Sequence, residues 1–136
     1  MTPEDRFAAL AAADTHALEE LADAILACGP DVRVIAGPEA VSAPVRLPVP
    51  DGSTTVIGHV ALTRCTVTLD GQRGDGIRTG YDLTGAVAAA VCDAEYERAG
   101  AFSLRVDDLC RTARTAAEKT RRRRATLVAA TTLDEA

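Results

Sequence analysis

The chain has 136 residues and a formal net charge of −5 at pH 7; 47% of its residues are apolar, but only 3% are aromatic. This length suffices for one domain with a modest core and is too short for two well-developed ones, so we expect a single domain over residues 1–136. The acidic balance argues against a general nucleic-acid binder. A core built largely from alanine buries little area per residue, so a partner surface could supply part of its stabilisation.

The amino terminus and the cysteines indicate a reducing compartment. The start of the chain is acidic and contains no apolar run long enough for a signal peptide or a membrane span, which predicts a cytoplasmic protein with no membrane contact. The four cysteines form no Cys-x-x-Cys pair and have no histidine nearby, so we expect buried free thiols and no metal site. They are Cys28, Cys65, Cys92 and Cys110.

A first helix is predicted to begin at Thr2-Pro3, which places a capping residue before proline at the first helical position. Glu4 and Asp5 would occupy its first turn, where the positive end of the helix dipole favours acidic groups. Its apolar positions Phe7 and Leu10 are predicted to face the core.

A second helix is predicted to begin after Asp14 or Thr15, either of which is a suitable N-cap. Leu18 and Ile25 belong to an apolar face with helical spacing, and Gly29-Pro30 ends the helix. The two helices therefore form a hairpin or one broken helix.

The middle of the chain predicts an antiparallel meander. Alternating apolar residues occur first at Val32 and Val34 and again over residues 44–50, where prolines interleave with them. Because of these prolines, the run over residues 44–50 is expected to be an edge strand or an extended arm. Asp51-Gly52 is a hairpin turn signal, and Thr54–Leu69 supplies one long strand or two. After a second turn at Asp70-Gly71, residues 77–79 form a short return strand.

The carboxy-terminal half switches to helical periodicity. Residues 82–94 form an apolar helix capped by Asp82, which we expect to be buried or covered by a partner. A last helix is predicted over residues 106–121, a final strand at Thr126–Val128, and a loose tail at residues 134–136. The predicted fold class is therefore α+β: one domain in which an antiparallel β-meander packs with an N-terminal helical hairpin, an apolar central helix and a C-terminal helix.

Residues that could carry catalysis are sparse. His16 and His59 have no companion at metal-ligand or acid–base spacing. Residues 71–76 are glycine-rich but lack the lysine and the following helix of a phosphate loop, which favours a hairpin loop. Asp82 and Asp93 lie ~16 Å apart along one helix, too far to act together. We therefore predict no catalytic, cofactor-binding or metal-ligating residue.

The arginine run Arg121–Arg124 is the concentrated positive patch of this acidic chain. No aromatic residues alternate with the arginines for base stacking, which weakens a nucleic-acid interpretation. The favoured interpretation is charge that complements the dipole at a helix end and contacts an acidic partner. Contact with a nucleotide or a nucleic acid is the alternative.

Gly58–Gly71 joins an Ala-Leu-Thr-Arg sequence to alternating apolar positions and an Asp-Gly turn. This segment resembles the central segment of the G subunit of the bacterial carbon–phosphorus lyase core complex, the PhnG family. Arg6-Phe7 matches the start of the family's alanine-rich helix, Gly80 and Asp82 match its Gly-Arg-Asp motif, and Thr126–Val128 matches its Thr-Leu-Val. The Arg, His and Glu of the family's Gly-Arg-Asp and His-Ala-Glu motifs are replaced here, so the chain is identified as a divergent member.

The resemblance implies an accessory, non-catalytic subunit that binds no cofactor itself. Its implied partners are the H, I and J subunits and an ATP-binding-cassette subunit, which together transfer a phosphonate to the ribose of ATP with release of adenine, giving a ribose 1-phosphonate 5-triphosphate. The alternative is a stand-alone binding or regulatory domain that uses Arg121–Arg124. The candidate partner interface comprises Arg64, Gly80, Asp82, Arg122, Arg123 and Arg124.

Overall fold

Two tight turns fold residues 32–79 into an antiparallel meander with the strand order β1-β2-β3. The computed structural model describes the backbone of residues 1–135 and the side chains of residues 1–131. Its elements are α1 (Pro3–Ala12), α2 (Thr15–Ala27), β1 (Val32–Pro48), β2 (Thr54–Leu69), β3 (Gln72–Thr79), α3 (Leu83–Glu97) and α4 (Ser103–Glu135). This arrangement confirms the predicted α+β class, and Thr54–Leu69 is one strand rather than two.

The turn between β2 and β3 has the backbone conformation that its sequence predicts. Asp70 and Gly71 have φ angles of 48° and 83°, and two consecutive positive values are typical of a type I′ hairpin turn. Leu69 consequently pairs directly with Gln72. The Asp70 backbone also bonds to Asp31, where its N–H donates to the carbonyl oxygen at 2.8 Å.

The glycine-rich segment is part of β3, so the predicted hairpin loop over residues 71–76 is wrong beyond its first residue. Gly74 and Gly76 lie in the strand under α3. A Cβ on Gly76 would lie 2.5 Å from the carbonyl oxygen of Ala86, and a Cβ on Gly74 would overlap the backbone of Ala90. These glycines let the helix approach the sheet closely, which a glycine-rich sequence does not distinguish from a loop.

The apolar central helix α3 covers β3 and β2, as predicted. Asp82 is its N-cap, and its side chain accepts a hydrogen bond from the Gly85 N–H at 2.9 Å. The buried core is formed mainly by small α3 residues together with larger aliphatic residues from the other elements. Its fully buried larger members include Leu10, Leu18, Ile25, Val67, Leu69, Val91 and Val106.

The N-terminal region forms two separate helices, α1 and α2, which both pack on α3 and α4 rather than mainly on each other. Thr2 caps α1 by accepting from the Asp5 N–H at 3.1 Å, and Asp14 rather than Thr15 caps α2. Leu10 is buried as predicted, but Phe7 is 36% exposed, so its predicted core position is wrong. The neighbouring Arg6 occupies the buried position instead because acidic side chains from α3 neutralise it there.

Helix α4 is much longer than the predicted 106–121, and the predicted final strand at Thr126–Val128 is wrong. The stretch is helical although it contains β-branched residues, and the hydroxyls of Thr120, Thr126 and Thr131 each donate to the carbonyl oxygen four residues earlier. Asp134 and Glu135 belong to the helix rather than to a loose tail, whereas Ala136 lies outside the described residues. Arg121–Arg124 therefore do not cap a helix end, since dipole effects fall off within the last turn.

β1 and β2 extend well beyond β3. β3 pairs only with Leu62–Leu69, so residues 42–61 form a two-stranded ribbon, and β1 is an edge strand as predicted. The ribbon exposes several apolar side chains, with Ile57 61% exposed and Leu47 50% exposed. Such a ribbon is marginally stable unless other surfaces cover it.

The close approach at Gly76 predicts that Gly76→Ala lowers the free energy of unfolding by about 1–3 kcal/mol, because the new methyl group meets backbone atoms of α3. Gly58→Ala in β2 is the matched control, since a Cβ there meets nothing within 4 Å. Urea unfolding followed by circular dichroism measures both variants. Equal stability of the two variants would contradict the tight packing of α3 on β3.

Candidate partner interface

The buried hydroxyl of Thr63 holds two predicted interface positions together. It donates to the carbonyl oxygen of Gly80 at 2.6 Å and accepts from the N–H of Asp82 at 2.9 Å. Gly80 has a φ of 77°, a conformation that glycine adopts without strain. Gly80 and Asp82 thus connect β3 to α3. Their hydrogen bonds with Thr63 join them to another part of the same chain.

Arg78 binds the carboxylate of Asp82 and the end of α1. Its Nε lies 3.3 Å from Asp82 Oδ2, and its Nη2 donates to Thr15 Oγ1 at 2.9 Å. Its Nη1 donates to three carbonyl oxygens at the end of α1, which otherwise lack intrahelical donors. They belong to Leu10, Ala11 and Ala13, at 3.0, 3.0 and 2.8 Å.

The sequence contains a signal for the buried position of Arg78. Strand alternation places Arg78 on the same face of β3 as Gly74 and Gly76, and that face is buried. An arginine on a buried face requires several acceptors, which indicates a structural role for its guanidinium.

Arg6 forms a second buried network. Its Nε lies 2.5 Å from Asp93 Oδ1, its Nη2 bonds to Glu97, and its guanidinium lies 4.6 Å from the ring centre of Tyr96. The other oxygen of Asp93 accepts from the Asp75 N–H at 2.9 Å. Burial alone would lower the pKa of Arg6, but bonding to Asp93 and Glu97 outweighs burial and raises that pKa.

A third network organises the turn from α3 to α4. Glu95 is fully buried, and it accepts from Arg98 Nε at 2.5 Å and from the Phe102 N–H at 3.1 Å. Arg98 also binds Asp70 Oδ2 at 2.5 Å, which connects the end of α3 to the β2–β3 turn. These carboxylates therefore stabilise the connections between elements.

Arg64 lies on the outer side of β2, beside a groove of about 710 Å³ that also contains Phe7. Its Nε pairs with Glu39 at 2.8 Å, and Arg73 in the same groove pairs with Asp75. Partial burial acts to raise the pKa of Asp75, but hydrogen bonds from Arg73 and Thr66 outweigh it and lower that pKa. Because the groove's arginines are already paired with carboxylates, it is not a preformed anion site.

The arginine run lies on the exposed surface of α4, and Arg122, Arg123 and Arg124 are all exposed. None of the ion pairs among residues 1–131 involves these three arginines. The structure therefore distributes the predicted interface over β2, the β3–α3 connection and α4. It brings Gly80 and Asp82 together through Thr63, and a shared role in binding a partner stays a prediction.

The cysteines divide into two groups. Cys65, Cys92 and Cys110 are buried as predicted, whereas Cys28 at the end of α2 is exposed, so its predicted burial is wrong. Burial raises the pKa of Cys110 to about 11 and also raises the pKa of Cys92. Within the described residues, no three His, Cys, Asp or Glu side chains are grouped as a metal site would require.

The Arg6 network predicts a large loss of stability for Arg6→Met, because Asp93 would keep a buried charge without its partner. We expect the free energy of unfolding to fall by about 3–5 kcal/mol. Arg64→Met is the matched control, since its ion pair is exposed and contributes about 1 kcal/mol or less. Urea unfolding measures both variants, and equal losses would show that the buried network does not stabilise the fold.

Comparison with known proteins identifies the family of this chain. A search of curated proteins found no match, and none of the helices in residues 1–135 has the length and apolar character that crossing a bilayer requires. The model of the family described as "Phosphonate metabolism protein PhnG" matches residues 2–134, which includes every element of the fold except the end of α4. The chain therefore belongs to the PhnG family of phosphonate metabolism proteins.

Proposed function

We propose that this chain is an accessory subunit of the carbon–phosphorus lyase core complex in the cytoplasm. In this role it supports the transfer of a phosphonate to the ribose of ATP with release of adenine, which forms a ribose 1-phosphonate 5-triphosphate. Its partners are the H, I and J subunits and an ATP-binding-cassette subunit. Membership of a phosphonate-metabolism family over nearly the whole chain supports this assignment.

The carboxylates that are paired with arginines favour a supporting rather than a catalytic role. Asp93 is bound by Arg6, Asp82 by Arg78 and Glu95 by Arg98. A general acid or base must exchange a proton with its substrate, and these groups are instead committed to bonds between structural elements. The family's chemistry is thus assigned to the partner subunits.

The uncovered ribbon is the observation that carries the accessory role. Val56, Ile57 and Val60 are 44%, 61% and 41% exposed on a two-stranded ribbon. Covering these side chains in a complex would bury apolar surface and add stability that the isolated ribbon lacks. The fold is therefore suited to an assembly, in which it supplies surface rather than reacting groups.

The role of the chain is tested by reconstitution with the H, I, J and ATP-binding-cassette subunits. With ATP and methylphosphonate, we expect the full set to release adenine, measured by chromatography, and the set without this chain to lose that activity. The chain alone should release none. Equal release by the set that omits the chain would show that it is not the required subunit we propose.

The exposed arginine run is proposed to contact an acidic surface of a partner subunit. Replacing Arg122, Arg123 and Arg124 with glutamine should weaken co-purification with the core subunits, and added salt should weaken the wild-type complex in the same way. Glutamine at three other exposed arginines of α4 is the matched control and should leave assembly intact. These are Arg105, Arg111 and Arg114.

The alternative function, a stand-alone binding or regulatory domain, predicts a different property of the Arg122–Arg124 variant. It predicts that the wild-type chain binds nucleotide or nucleic acid at physiological salt and that the Arg122–Arg124 variant loses this binding. Unchanged co-purification of that variant would contradict the proposed contact with an acidic partner.

A further inference from the structure

The two edges of the ribbon differ in chemistry. Within the ribbon, the β1 edge contains Pro44 and Pro48 and carries a charge at Arg46. Prolines and charges on an edge strand prevent pairing with another chain. The β2 edge, Thr54–Ala61, has neither proline nor charge, and five of its eight residues are β-branched. The β1 edge is therefore protected by proline and charge, whereas the β2 edge has neither and is interrupted by a bulge at Ile57, which has no direct partner on β1.

The β2 edge is also open. The last pair between β2 and β3 is Leu62 with Thr79, and the last bond on that side runs from the Gly80 N–H to the Ala61 carbonyl oxygen at 2.8 Å. Among the described residues, no strand continues β3 alongside residues 54–60. This edge thus offers a vacant strand position in line with β3.

Backbone direction identifies a group that faces this position. Because the Ala61 carbonyl points toward β3, the backbone of His59, two residues earlier, points to the same side. Pro44 lies directly opposite His59 and has no N–H to donate. Pro44 and His59 are therefore a pair that exchanges no hydrogen bonds between β1 and β2. The His59 N–H therefore points out of the ribbon.

We infer that the open β2 edge pairs with the same edge of a second copy of this chain. The strands would run antiparallel about a two-fold axis and give the order β1-β2-β2′-β1′. An interface of this symmetry brings one segment against itself, so any charge would lie near its own copy. The absence of charge from residues 54–61 satisfies that requirement.

The protected β1 edge explains why pairing would stop at two copies. In the four-stranded arrangement both outer edges are β1 strands, each with its prolines and charges. A closed dimer therefore forms instead of a filament. An edge that selected a different subunit by charge complementarity would carry charged side chains, which this segment does not.

The test uses the purified full chain without other core subunits, so its result is independent of the proposed function. We expect light scattering and sedimentation to give the mass of a dimer for the wild type. His59→Pro removes the outward N–H and should weaken dimerisation at least about tenfold. Ser42→Pro is the matched control, because Ser42 pairs with Ala61 and its N–H points out of the protected β1 edge.

Side-chain variants keep the proposal falsifiable if His59→Pro disturbs folding, which circular dichroism would show. Ile57→Lys places a positive charge in the proposed interface and should give a monomer, whereas Leu47→Lys on β1, also at an exposed position, should remain a dimer. A wild-type chain that is monomeric over a wide concentration range would overturn the proposal. Equal effects of His59→Pro and Ser42→Pro, or of Ile57→Lys and Leu47→Lys, would also overturn it. The same holds if the β2 edge pairs only with a strand of another subunit.

Discussion

The close contact between α3 and β3 is the constraint on which the rest of the fold depends. Gly76 lies so near the helix that a Cβ would come within 2.5 Å of its backbone, and the facing helix residues are mainly alanines. Small residues on both sides take the place of the large aromatic side chains that are scarce in this chain. Because each buried alanine removes little apolar area from water, the remaining elements need further attachment to this layer.

Buried arginines provide that attachment. Arg78 extends from β3 to the end of α1, and Arg6 extends from α1 to Asp93 on α3. A buried guanidinium is unfavourable unless its donors are satisfied, so each network specifies one arrangement of its elements more than it adds net stability. This specificity matters because a core of small residues has little side-chain shape complementarity to fix the positions of the helices.

Local signals in the sequence predicted much of the fold, whereas long-range contacts determined the parts that it missed. The Asp70-Gly71 turn, the Asp82 cap and the apolar helix depend on adjacent residues and agree with the structure. The burial of Arg6 depends on Asp93, which is 87 positions away, so helical periodicity selected Phe7 instead. Among the predicted interface residues, Asp82 was correctly predicted to be an N-cap. Its bond to Arg78 was not predicted, because it depends on how β3 packs in the meander.

The ribbon is the part of the meander that the core of this chain does not cover. Its apolar side chains add nothing to the core of this chain, and its unprotected edge carries a risk of unwanted pairing. A two-stranded ribbon is only marginally stable by itself, whereas the three-stranded part of the sheet is covered by α3. The covered half of the meander therefore specifies the fold, and the uncovered half is the surface available for assembly.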